Sequence, residues 1–167
     1  NDGGENTSLA LDAAGNPHVS YNDATTGDLK YARKSGGVWS METVDGSANV
    51  VGQYTSLSLD AQGNPHVSYQ DSTLSDLKYA RKSGGTWFIE TADASANVVG
   101  QYTSLAVDAL GNPHVSYYDA TGGDLKYARR PGGAWTLEIA DGSTSFVGAY
   151  TSLALDAQGN PHVSHYD

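Results

Sequence analysis

The chain repeats itself with a period of 48 residues. The decapeptide from Asp12 to Tyr21, Asp-Ala-Ala-Gly-Asn-Pro-His-Val-Ser-Tyr, returns at Asp60–Tyr69, at Asp108–Tyr117 and again from Asp156, where His165 takes the place of the tyrosine. Residues 6–53 and 54–101 are identical at 36 of 48 positions, and residues 54–101 and 102–149 at 30 of 48. Three units and the opening of a fourth are present. A unit of this size buries its flanks only by leaning on its neighbours, so one supersecondary structure must recur along the chain.

Hydrophobic spacing identifies that structure. Within the first unit, Thr7–Asp12 sets Leu9 and Leu11 on one face, and His18–Asp23 pairs Val19 with Tyr21. Asp28–Lys34 pairs Leu29 with Tyr31, and Val38–Val44 aligns Trp39 with Met41. An apolar period of two, bounded by Gly, Asn and Pro, predicts four strands per unit and no helix. Four strands in about 48 residues match the blade of a propeller. The expected fold class is all-β, with β-propeller blades of four antiparallel strands and about 3.5 repeats in this chain. The units are placed at residues 1–53, 54–101 and 102–149, with residues 150–167 as the first hairpin of a fourth, all in one propeller-type domain.

The turns suggest a register. A loop over Ala13–Pro17 would set Leu11 against Val19, Leu9 against Tyr21 and Asp12 against His18. A three-residue loop at Ser35-Gly36-Gly37 would oppose Arg33 to Trp39, Tyr31 to Met41 and Lys30 to Glu42, which keeps the apolar side chains together. Cross-hairpin ion pairs Lys30–Glu42, Lys78–Glu90 and Lys126–Glu138 follow from that register. So does stacking of Arg33, Arg81 and Arg129 over Trp39, Trp87 and Trp135.

Charge and composition exclude several roles. Nineteen acidic against nine basic residues give a net charge of −10, which repels phosphate backbones and anionic lipid, so neither nucleic acid nor membrane insertion is expected. Thiol chemistry and cysteine metal sites have no residue to use, since the chain lacks cysteine. Near-identical units supply the same groups repeatedly, whereas an enzyme assembles unlike groups at one place. No nucleophile–base pair or carboxylate pair stands out, so no catalytic residue is assigned.

Three features could hold a ligand. His18, His66, His114 and His162 each recur six residues after an aspartate, a pairing that could orient an imidazole. Here the aspartate is expected to cap the turn, and one histidine per blade is too few for zinc. The acidic loops beginning at Asp23, Asp71 and Asp119 offer oxygens that suit calcium, but turn formation is their expected use. No other cofactor and no metal site is expected. The third feature is a cluster repeated in each blade: Tyr31, Arg33 and Trp39; Tyr79, Arg81 and Trp87; Tyr127, Arg129 and Trp135. Sugars present C–H faces to aromatic rings and hydroxyls to charged forks, so this cluster is the candidate ligand-binding platform. Packing between blades is the competing use of its aromatic rings.

Over nearly its whole length the chain resembles the blades of secreted propeller lectins of the fucose-binding type, and it also shares bent turns with sialidase-like repeats. The matching stretches are Ser104-Leu105-Ala106, Val115-Ser116-Tyr117-Tyr118, Leu125-Lys126-Tyr127 and Trp135. The family's sugar-site arginine falls on His18, His66 and His114, and its glutamate near Tyr31, Tyr79 and Tyr127, so the match is architectural. The resemblance implies a multivalent, non-enzymatic, carbohydrate-binding module, secreted or at the cell surface and bacterial. The partners expected are glycans, together with other copies of the chain or further repeats that close the ring. The alternative function is a structural, self-assembling repeat protein without a small ligand.

Overall fold

A computed structural model describes residues 4–143 and 146–167. Fourteen strands form three four-stranded antiparallel sheets and one two-stranded sheet, and no helix occurs among the described residues. The first sheet holds β1 (Glu5–Leu11), β2 (Pro17–Asp23), β3 (Asp28–Ser35) and β4 (Val38–Asp45), in that order. The second holds β5 (Val51–Leu59), β6 (Pro65–Asp71), β7 (Asp76–Ser83) and β8 (Thr86–Asp93). The third holds β9 (Gln101–Val107), β10 (Pro113–Asp119), β11 (Asp124–Arg129) and β12 (Thr136–Asp141), and β13 (Ala149–Leu155) pairs with β14 (Pro161–Tyr166). Each four-stranded sheet is one blade of a β-propeller.

The innermost strands of successive blades, β1, β5, β9 and β13, lie side by side, while β4, β8 and β12 form the exposed rim. Serine side chains stitch the inner strands together. The backbone N–H of Leu57 donates to Ser8 Oγ at 3.0 Å, that of Leu105 to Ser56 Oγ at 3.0 Å, and that of Leu153 to Ser104 Oγ at 2.9 Å.

The hydrophobic core lies between blades. One cluster joins Leu29, Tyr31, Val44 and Val51 to Leu57, Val67, Tyr69 and Ala80, with Trp87 against its edge. A second repeats the pattern with Leu77, Tyr79, Val99, Leu105, Val115, Tyr117 and Trp135. Of the paired linker valines, Val51 and Val99 are fully buried while Val50 and Val98 face outward. The exposed inner-strand Leu9, 63% accessible where the equivalent Leu57 is 6%, shows what a preceding blade would cover.

Both expected registers are corrected. The loop between β3 and β4 has two residues, so Ser35 pairs with Val38, Lys34 with Trp39, Arg33 with Ser40 and Tyr31 with Glu42. Gly36 and Gly37 take φ of +57° and +83°, the left-handed conformations of a tight hairpin turn. Keeping apolar residues on one face fails as a guide here because β4 is exposed almost throughout, so turn chemistry sets the pairing. Between β1 and β2 the pairing is Leu11 with Pro17, Ala10 with His18 and Leu9 with Val19, and the loop is Asp12–Asn16. That loop closes because Asp12 and Asn16 bond through their backbones and Asp12 Oδ1 accepts from the Ala14 and Asn16 amides. Asp60 and Asp108 make the same caps.

Candidate functional site

The register carries the cluster residues to different places. Tyr31, Tyr79 and Tyr127, on the second-outermost strand of each blade, are almost fully buried. Their hydroxyls meet Nδ1 of His18, His66 and His114. On the other side of each imidazole, Nε2 lies 3.6, 3.5 and 3.7 Å from Asp12, Asp60 and Asp108. The tautomer that serves both neighbours carries its proton on Nε2 and accepts the tyrosine hydroxyl at Nδ1. Burial lowers the pKa of all three histidines despite their aspartates. Burial likewise raises the tyrosine pKa values, that of Tyr31 to about 12. The Asp–His–Tyr row ties the inner turn to the outer half of the blade, and its hydroxyls are committed to it.

The tryptophans are wedges between blades. Trp87 meets the ring of Tyr31 edge-on at 5.3 Å and 72°, and Trp135 meets Tyr79 at 5.3 Å and 73°. The indole Nε1 atoms of Trp87 and Trp135 are buried without a hydrogen-bond partner. Trp39, on the first blade, is 46% exposed. The cations above these rings differ from those expected. Lys82 lies 5.7 Å from the Trp87 ring and Arg130 5.9 Å from the Trp135 ring, because the two-residue turn sets the position after the repeated arginine opposite the tryptophan. Arg81 instead lies over Phe88, at 5.2 Å.

The expected cross-hairpin ion pairs are likewise replaced by others, three of which run across the blade joints. Glu42 is bound by Lys82 of the next blade at 2.5 Å, and Glu90 by Arg130 at 2.6 Å. Lys30 turns to Asp28 at 2.7 Å, and Lys126 to Asp93 of the preceding blade at 2.6 Å. Asp93 titrates below the usual carboxylate range. Burial pushes it up, but its bonds from Lys126 and Tyr117 outweigh that effect.

These contacts frame a cleft at the joint of the first two blades. It encloses about 290 Å³ and is lined by Tyr31, Arg33, Ser40 and Glu42 from one blade and by Asn64, Pro65, Lys82 and Gly85 from the next. Of the sequence-predicted cluster, Tyr31 and Arg33 share this cleft while Trp39 lies apart on the opposite side of its blade. Glu42, Asn64, Ser40 and Lys82 escaped the sequence reading because half of them belong to the following unit. The recurrence of a cation at 34, 82 and 130, directly after the repeated arginine, was the signal for Lys82. The acidic loops use their carboxylates on their own turns. Asp23 accepts from the Thr25 amide and Asp71 from Thr73 and Leu74, and among the described residues no group of three or more His, Asp or Glu gathers as a metal site.

Comparison with solved structures bears on the fold. A fucose lectin from Kordia zhangzhouensis superposes with a TM-score of 0.54 at 16% identity, over 81% of this chain and 99% of that one. The Aleuria aurantia lectin, in complex with Fucalpha1-6GlcNAc, gives 0.63 at 19% identity, over 97% of this chain and 55% of its own. The chain has the fold of the propeller lectins. It spans about half the length of the Aleuria lectin. A leech intramolecular trans-sialidase is also similar, with a TM-score of 0.56 at 14% identity over 27% of its length. No protein-family model and no curated protein sequence matches. Among the described residues no helix is long and apolar enough to cross a membrane.

Proposed function

We propose that this propeller is a non-enzymatic carbohydrate-binding module whose sites are the clefts between blades. One observation carries the reading. At the first joint a guanidinium, a carboxylate, an amide and an ammonium (Arg33, Glu42, Asn64 and Lys82) surround one small cleft beside the edge of Tyr31. Such a mixture of donors and acceptors next to an aromatic edge suits a polyhydroxylated ring. The lectin fold supports it. The next unit supplies Arg81, Glu90, Asn112 and Arg130 at the equivalent positions. Equivalent weak sites on one rigid body raise avidity, a use for repetition that catalysis would not have. A secreted or cell-surface setting follows from such a ligand.

Printed glycans test the reading directly. Binding of the intact chain to a defined glycan class, lost on Glu42→Ala and Lys82→Ala with the fold kept, is the expected result. Silence across a broad array would overturn it.

A second reading, self-association or docking of further repeats, is favoured by the leading face of the first blade. There Leu9 and Leu11 are both more than 60% exposed, whereas the equivalent Leu57 and Leu59, which have a blade before them, are buried and half-buried. Light scattering decides it: a mass above 17.5 kDa supports association, and a monodisperse single-chain mass refutes it for this chain.

A further inference from the structure

We propose that the cleft between the first two blades takes a saccharide carboxylate, gripped by the Arg33 guanidinium beside Lys82. The proposal rests on the carbohydrate reading above and narrows it to acidic sugars.

Among the described residues, Lys30, Lys82, Lys126 and Arg130 each hold a carboxylate, while Arg33, Lys34, Lys78, Arg81 and Arg129 have none within ion-pair distance, and of these five Arg33 lines the cleft. Arg33 is also exposed. Its cross-strand partner explains its freedom. Ser40 is too short to cover a guanidinium, and its hydroxyl donates instead to the Arg33 carbonyl oxygen at 3.3 Å. One blade later the same position is Phe88, and Arg81 lies on that ring at 5.2 Å. The two joints therefore share a framework, with Arg130 standing for Lys82, and differ at one position that touches the arginine: a hydroxyl leaves it available, and an aromatic ring occupies it.

The charges then select the ligand. Glu42 is neutralised by Lys82, so Arg33 leaves the cleft with one positive charge in excess. The planar fork of a guanidinium matches a carboxylate through two parallel bonds, each about twice as strong as a bond to a neutral hydroxyl. The chain's net charge of −10 does not cancel this preference, because at physiological salt charges beyond about 8 Å are largely screened.

The experiment presents the intact chain with glucuronides and sialosides beside their neutral counterparts, first on an array and then by titration in solution. An acidic sugar is expected to bind at least about tenfold more tightly than its neutral analogue. Arg33→Gln should erase that preference, and Ser40→Phe should do the same by giving Arg33 the ring that Arg81 already has. Phe88→Ser should add one equivalent of acidic sugar by releasing Arg81, which keeps the proposal testable if Ser40→Phe fails to fold. Equal affinity for acidic and neutral sugars, or unchanged stoichiometry in Phe88→Ser, would overturn the carboxylate assignment and leave the carbohydrate reading standing. No binding of any sugar would overturn both.

Discussion

The tryptophan at the start of the rim strand offers one side chain in two settings. Trp87 and Trp135 sit against the inter-blade clusters, whereas Trp39 is 46% exposed on the leading face. Truncating a core tryptophan to alanine costs about 3–5 kcal/mol. Trp87 stands toward the lower end because it is only partly buried, and because its unpartnered Nε1 forfeits no hydrogen bond. Its loss includes an edge-on contact with Tyr31, worth about 0.5–1.5 kcal/mol, and a cation contact with Lys82, worth about 0.5–1 kcal/mol. We expect Trp87→Ala to cost about 3 kcal/mol and Trp39→Ala about 1 kcal/mol or less. A gap of about 2 kcal/mol is roughly a thirtyfold change in the folded-to-unfolded ratio, readily seen as a shifted urea midpoint at unchanged slope. Unfolding followed by far-ultraviolet circular dichroism, which does not depend on the deleted chromophore, makes the comparison fair. Equal losses at Trp39 and Trp87 would refute the view that each tryptophan acts on the blade before its own.

Two further measurements probe the same framework. Burial depresses the pKa values of His18, His66 and His114, so the folded state binds fewer protons than the unfolded chain just below the ordinary histidine pKa. Their contribution is complete above about pH 6.5 and is lost as pH falls through the depressed values; a urea midpoint that stays flat from pH 7.5 to 5 would contradict the buried Asp–His–Tyr row. Gly100 has φ of +84°, and a Cβ there would stand 3.0 Å from Leu77 Cα, whereas one on Gly63, at φ +79°, would meet nothing within 4 Å. Gly100→Ala should therefore cost about 3 kcal/mol, from left-handed strain plus overpacking, against about 1 kcal/mol for Gly63→Ala; equal melting shifts would refute the close approach of linker to blade.

Much of the fold was legible because the repeat shows which features are local. The expected strands Thr7–Asp12, His18–Asp23, Asp28–Lys34 and Val38–Val44 match β1 to β4 within a residue or two. The capping role of Asp12 was also readable, since Asp and Asn four residues apart around a Gly define a turn without help from elsewhere. The pairing of β3 with β4 was not, because the turn-side part of the rim strand, from Val38 to Thr43, has no buried face and gives the alternation rule nothing to act on. The candidate cleft was half visible. Arg33 and Tyr31 belong to one unit, but Lys82 and Asn64 come from the next, and within-unit spacing carries no record of which side chains meet across a joint. One register error of a single residue also exchanged the cations, moving the tryptophan contact from Arg81 to Lys82.

The serine stitches between inner strands have a consequence for how such a chain can vary. Ser8, Ser56 and Ser104 each offer the same acceptor to the same amide one repeat later, so every seam is written in one grammar. A whole unit deleted or duplicated between matching positions would leave the flanking seams chemically unchanged. Length can then drift by complete blades while residues such as Ser40 and Phe88 diverge one at a time, and specificity can change without renegotiating the scaffold.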